Sequence, residues 1–181
     1  SEVRPRTSGQ PRFSRMENFS IVNPDEPRLV GHVDVGNNES LFATRFDGDL
    51  VYIVTFRRID PLWIVDNSNP LRPVVSGELE IPGWSNYIHP LGDRLVTIGI
   101  DNIDGWRAAV QLFDVSDPSA PTLLSKAPLG EGNSWSEANY DEKAFKVFSD
   151  EGLILVPFSS YSSSGGYASA VQLIDLNRDS L

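Results

Sequence analysis

Ile64-Val65-Asp66-Asn67-Ser68-Asn69-Pro70-Leu71-Arg72-Pro73 is a short apolar run that ends on a carboxylate and is then broken by Asn, Ser and two prolines. Asp and Ser oxygens accept hydrogen bonds from nearby backbone N–H groups, and Pro presets φ and stops a ladder. The stretch therefore reads as a strand, a turn and the start of a second strand. The plan returns as Leu112-Phe113-Asp114-Val115-Ser116-Asp117-Pro118-Ser119-Ala120-Pro121. It is present earlier as Ile21-Val22-Asn23-Pro24-Asp25-Glu26-Pro27, and Leu173-Ile174-Asp175-Leu176-Asn177 begins a further copy. Pro27 and Pro73 are 46 residues apart and Pro73 and Pro121 are 48 apart. Asp66 and Asp114 are again 48 apart, while Asp114 and Asp175 are 61 apart, so the last unit carries an insertion. A fixed period decides an architecture before any single motif is weighed. Asp66, Asp114, Asp175, Pro73 and Pro121 are accordingly assigned to turn formation.

Working outward from the turns, each unit resolves into short apolar runs of β type. In the first full unit they are Ser40–Phe46, Leu50–Phe56, Leu62–Val65 and Pro73–Ile81; in the second, Ser85–Leu91, Arg94–Ile100, Ala109–Val115 and Pro121–Ala127. No window carries the i, i+3, i+4, i+7 stripe of an amphipathic helix, and residues 136–148 alternate as a strand would. The class is all-β. Four strands recurring over 46 to 48 residues are the signature of a β-propeller blade, in which radial stacking hides each twisted sheet between its neighbours. A two-layer sandwich also has many short strands, but it does not repeat the same turn chemistry at a fixed interval. Two full units, most of a third and the last two strands of an earlier one amount to about three and a half blades, a partial propeller of four-stranded blades.

The chain has 181 residues, with 15 Lys and Arg against 25 Asp and Glu and a formal net charge of −10. Such a surface repels a phosphate backbone, which removes nucleic acid as a partner. Hydrophobic residues make up 40% of the chain, enough for a core. No apolar run approaches the ~20 residues of a membrane-spanning helix, so no membrane span is expected. Cysteine is absent, which excludes disulfides, thiolate nucleophiles and Cys-ligated metal. With only three lysines and an acidic surface rich in Ser, Asn and Gly, the composition leans towards an extracellular setting. Residues 1–16 mix Pro, Gly and Ser with Arg4, Arg6, Arg12 and Arg15, the composition of a flexible basic arm or linker. Those arginines would otherwise lie against the acidic body. The propeller domain is placed at 17–181.

Three further stretches join the pattern: Leu62-Trp63-Ile64-Val65-Asp66, the run from Gly77 through Gly83-Trp84-Ser85 to His89-Pro90-Leu91, and Tyr140-Asp141-Glu142-Lys143-Ala144-Phe145. Together they resemble the secreted bacterial β-propeller proteins distantly related to WD-type repeats, whose surface-protein repeat has a Leu-Val-Ile-Val-Asp core. The resemblance implies an exported or surface-attached protein and supplies no catalytic set; Asp141 and Lys143 match the family's Asp-x-Lys-Ala-Phe element. An open set of blades exposes sheet faces and an unpaired edge. The partner expected is therefore the remaining blades of the same protein, or a second copy in a homodimer.

Candidate chemistry is sparse. Arg45, His89 and either Lys143 or Lys146 fall at equivalent places on the first strands of three units, where converging cations would attract an anionic ligand. Their structural alternative is pairing with Asp47, Asp93 and Asp141. Asp101-Asn102-Ile103-Asp104-Gly105 resembles part of a calcium loop, making Asp101 and Asp104 candidate ligands for Ca2+, although the same residues make an ordinary Asp/Asn/Gly turn. The Ser- and Gly-rich insertion 159–167 carries Tyr161 and Tyr167, able to stack on a sugar or a peptide. No Gly-x-Ser-x-Gly elbow, Ser-x-x-Lys motif or phosphate-cradling glycine loop is present. The expectation is a non-enzymatic interaction module binding protein or glycan, with structural calcium as a further feature. The alternative is a propeller hydrolase or lyase with a site at the channel mouth.

Overall fold

The computed structural model describes residues 2–3, 13–56, 60–81, 83–103 and 105–181. Its first sheet is β1 (Glu2–Val3), β2 (Phe13–Ser20) and β3 (Arg28–Val35), and the second is β4 (Ser40–Asp47), β5 (Leu50–Phe56), β6 (Asp60–Asp66) and β7 (Val74–Ile81). The third is β8 (Trp84–Leu91), β9 (Arg94–Asp101), β10 (Arg107–Asp114) and β11 (Thr122–Pro128). In the fourth, β12 (Asn133–Trp135) and β13 (Lys146–Phe148) both lie along β14 (Leu153–Ser162), which also pairs with β15 (Gly166–Asp175). Neighbouring strands are antiparallel throughout and follow chain order in the two full sheets, as the repeat predicts.

Burial shows how the sheets stack. Every residue from Val51 to Thr55 is buried, and so is every residue from Arg94 to Ile100. A half-exposed antiparallel strand would alternate. These strands do not, because both faces are covered. Val51 and Ile53 pack with Met16 and Val35 of the first sheet, while Tyr52 and Val54 pack with Ile88, Leu95 and Phe113 of the third. Val96, Ile98 and Ile100 in turn pack with Ile154, Val156 and Ile174 of the fourth. First strands β4 and β8 approach each other much more closely than fourth strands β3 and β7. The sheets thus fan out from their first strands, as propeller blades do.

Side-chain hydrogen bonds close the turns after the third strands. Asp66 Oδ1 accepts from Ser68 N at 2.8 Å, and Asp114 Oδ1 accepts from Ser116 N at 2.8 Å. Asn69 and Asp117 close a second loop in each turn by accepting from Leu71 N at 3.1 Å and Ser119 N at 2.9 Å. Pro73 and Pro121 are buried. Asp175 differs: among the described residues it accepts no such bond. The segment after it, Leu176-Asn177-Arg178-Asp179, lacks both prolines and is closed instead by Asn177 N donating to Ser180 O at 3.0 Å.

Two boundaries shift. Phe13 to Met16, read as part of the arm, are the first half of β2; Met16 is buried and Arg15 holds Asp34 at 2.6 Å. Residues 4–12 lie outside the described residues. Between β12 and β13, where the residues read as β-compatible alternation without a helical stripe, two 3-10 turns intervene at Glu137–Asn139 and Glu142–Ala144. Ser136 and Asn139 form a reciprocal capping pair at the first, and Asp141 caps the second by accepting from Lys143 N at 3.0 Å.

Candidate functional site

The inner wall is set by register. Arg45 is opposite Tyr52, His89 opposite Val96 and Lys146 opposite Leu155, each partner being the third residue of its strand. Tyr52 and Val96 belong to the faces that pack on the following sheet, so their cross-strand partners share that side. Of the two lysines, Lys146 therefore holds the equivalent place. Lys143 sits on the second 3-10 turn, exposed, and Asp141 beside it serves as that turn's cap. His89 is half-buried, with Nδ1 3.5 Å from the Tyr87 hydroxyl. Burial lowers its pKa from the usual histidine value, and the charge of Arg45 lowers it further. The expected pairing with strand-end aspartates is not what Asp93 does: its carboxylate is engaged by Arg178 at 2.7 Å and Arg94 at 3.5 Å. Among the described residues, Arg45, His89 and Lys143 make no ion pair.

Asp101 ends β9. Its Oδ1 accepts from Ile103 N at 3.1 Å and its Oδ2 takes the Lys126 ammonium at 2.8 Å, so both oxygens serve the turn and an ion pair. Asp104 lies outside the described residues. Among the described residues no three His, Asp or Glu side chains converge as a cation site.

The second candidate surface is the tip of the fourth sheet. β14 and β15 are 10 residues each, against 7 in β5 and β6 and 8 in β9 and β10, so the hairpin projects beyond its neighbours by two or three residues, about 7–10 Å. Tyr161 is opposite Tyr167 and Ser159 opposite Ser169, and β12 brings Trp135 beside Ser159. With a period of two, all five share one face. Tyr161 and Tyr167 are 58% and 65% exposed. The Trp135 and Tyr167 rings lie 6.1 Å apart at 42°. The Tyr167 hydroxyl donates to Ser159 Oγ at 3.2 Å and accepts from Ser169 Oγ at 2.9 Å, and the two serine oxygens are 2.7 Å apart. These contacts, Ser159 first, hold the Tyr167 hydroxyl below its usual pKa. Sequence reading picks out the two tyrosines but misses Trp135 and Ser169. The available signal was the spacing Ser159-x-Tyr161 and Tyr167-x-Ser169 on either side of a Gly-Gly turn, which places all four on one face.

A family model described as the Beta propeller domain matches residues 12–178. The chain belongs to this family. An uncharacterized protein of Archaeoglobus fulgidus is 35% identical over 159 residues, covering 87% of this chain and 25% of that protein. An uncharacterized protein of Methanocaldococcus jannaschii is 39% identical over 141 residues, covering 77% and 22%. This β-propeller chain spans about a quarter of the length of the curated relatives it matches.

Proposed function

We propose that this chain is a non-enzymatic interaction module of an exported or cell-surface β-propeller, binding a glycan at the projecting rim of its fourth sheet. The observation that carries the reading is the patch of Trp135, Tyr161 and Tyr167 beside the Ser159 and Ser169 hydroxyls. Aromatic faces stack on the apolar face of a sugar ring, while a few fixed hydroxyls orient its own hydroxyls. A protein loop is the other ligand such a surface takes. Export is supported by the acidic, lysine-poor surface and the resemblance to secreted propellers. Calcium has less support, since Asp101 is already paired with Lys126. The flanking faces are completed by further blades on a longer polypeptide, a reading supported by relatives about three and a half times this length; a homodimer is the competing arrangement.

Titration with neutral oligosaccharides, followed by tryptophan fluorescence, tests the reading. Saturable quenching that disappears in Trp135→Ala and Tyr167→Ala is expected. A panel of neutral and acidic oligosaccharides giving no response at millimolar concentration would overturn it. One observation favours a second reading, a hydrolase or lyase at the channel mouth: half-buried His89 and Arg45 hold equivalent register places on the neighbouring first strands β8 and β4. Turnover of a glycan or ester substrate that His89→Gln abolishes would establish it.

A further inference from the structure

The projecting rim of the fourth sheet continues onto the third. Ser134 on β12 is opposite Ser160 on β14, yet the Ser134 N–H donates to the Trp106 carbonyl at 2.9 Å. A strand N–H points to one side only, so the loop carrying Trp106 runs along the side of β12 away from β14. Trp106 N in turn donates to Asn133 Oδ1 at 3.2 Å, and Asn133 is the residue opposite Tyr161. Trp106, Asn133, Tyr161 and Tyr167 therefore form one row across the strands, from the third sheet to β15. Three strand spacings separate its ends, about 14 Å. Trp106 is 51% exposed, and Asn133 is exposed between the aromatic ends. None of the four is charged, and the Glu131 carboxylate lies beside Gly165 at the hairpin tip.

We infer that this row holds a stretch of a linear neutral polysaccharide, at least three sugar units long and lying across the strands. The inference rests on the reading that the rim binds a glycan, and it names the class of glycan. One sugar ring covers one aromatic face, whereas a row of about 14 Å with a stacking face at each end spans more than one ring. One unit stacks where Tyr167 meets Trp135, and another stacks on Trp106. Between them Asn133, whose Oδ1 is taken by the Trp106 N–H, keeps its Nδ2 as a donor for the hydroxyls of an intervening unit. Glu131 and the net charge of −10 repel an acidic chain, which leaves the neutral class.

The test is calorimetric titration of the 181-residue chain with disaccharides and hexasaccharides of β-1,4-linked glucose, mannose and N-acetylglucosamine. In a series that binds, the hexasaccharide is expected to bind at least 10-fold more tightly than the disaccharide, because a second stacking contact on the same chain is intramolecular. Trp106→Ala is expected to remove that gain and leave the disaccharide affinity unchanged. Trp106→Phe keeps a ring face and is expected to retain most of the gain. Equal affinity for the two lengths overturns the inference, as does a gain that survives Trp106→Ala. A Trp106→Ala loss of equal size at both lengths also overturns it, because Trp106 would then belong to the same contact as Tyr167. So does tighter binding of hexagalacturonate, an acidic chain. No heat with any probe at millimolar concentration overturns the glycan reading together with this inference, whereas a bound disaccharide without a length effect overturns the inference alone.

Discussion

A Cβ on Gly77 would run into the carbonyl oxygen of Pro118, far inside van der Waals contact. Gly77 is on the fourth strand of the second sheet and Pro118 in the turn of the third, so the contact sets how closely two blades approach. Gly31 meets the carbonyl of Pro70 in the same way one blade earlier. At the corresponding place on β11 stands Ser125, opposite Leu112, and its Oγ accepts from Leu181 N at 3.1 Å. Each turn is therefore seated on the fourth strand of the sheet before it.

From this seating, Gly77→Ala and Gly31→Ala are expected to destabilise by about 1–3 kcal/mol through overpacking. Gly48→Ala is the control. With φ of +56° and open space around it, Gly48 carries only the left-handed backbone penalty of about 1–2 kcal/mol. Chemical denaturation should also show Gly48→Asn nearly harmless, because Asn tolerates that region, while Gly77→Asn is as damaging as Gly77→Ala.

Acid should unfold the protein through its aspartates. Hydrogen bonds from Ser68, Ser116 and Ser119 hold Asp66, Asp114 and Asp117 below the usual carboxylate range, and the Arg15 guanidinium does the same to Asp34. A carboxylate depressed in the folded state contributes stability above its unfolded pKa and loses it as pH falls through the folded value. From these carboxylates, denaturation midpoints should fall most steeply below about pH 4. Asp66→Asn keeps an acceptor oxygen, as Asn69 does, and should shallow that decline.

His89 should titrate below the ordinary histidine value of about 6.5. Burial and then Arg45 disfavour its charged form, so the unfolded state binds the proton more readily and stability falls as pH drops from about 6.5. Imidazole chemical shifts against pH measure this directly. Arg45→Gln should move the His89 midpoint upward, whereas an unchanged midpoint would place Arg45 too far away to act.

Tyr167 should ionise more easily than free tyrosine, on account of its contacts with Ser159 and Ser169. Removing both hydroxyls as Ser159→Ala and Ser169→Ala should return the absorbance-monitored midpoint towards 10. Because these groups are exposed, the thermal midpoint should stay where it was.

Arg94 ties the third blade to the fourth. Its guanidinium meets Asp114 at 3.0 Å and Asp179 at 2.7 Å, and its Nε donates to Arg178 O at 3.0 Å. Arg94→Gln leaves Asp93, Asp114 and Asp179 facing one another without their central cation. A lower thermal midpoint is expected, with faster exchange at residues 176–181 and a larger effect at low salt.

Much of this was legible along the chain. The Asp-x-Ser-x-Pro turns announce the period because local hydrogen bonding and the fixed φ of proline need no distant partner. The strand bounds follow, since Val51–Thr55 and Leu95–Ile100 are apolar or small almost throughout. The site was legible only in pieces. Tyr161 and Tyr167 stand out by type, but Trp135 is 24 residues before Ser159 in sequence and is brought beside it by β12 pairing with β14. Likewise Lys143 and Lys146 look interchangeable until the 3-10 turns take the first out of the strand.

The amino-acid sequence by itself determined that this protein is built of repeated four-stranded sheets, because turn chemistry and short apolar runs act over a few residues. Only the tertiary structure decided which side chains meet across strands and blades: Trp135 with Tyr167, Arg94 with Asp179, and Gly77 with the turn at Pro118. Those contacts depend on register and on the angle between sheets. Both are set by the sum of many weak packing interactions, which no short stretch of chain contains.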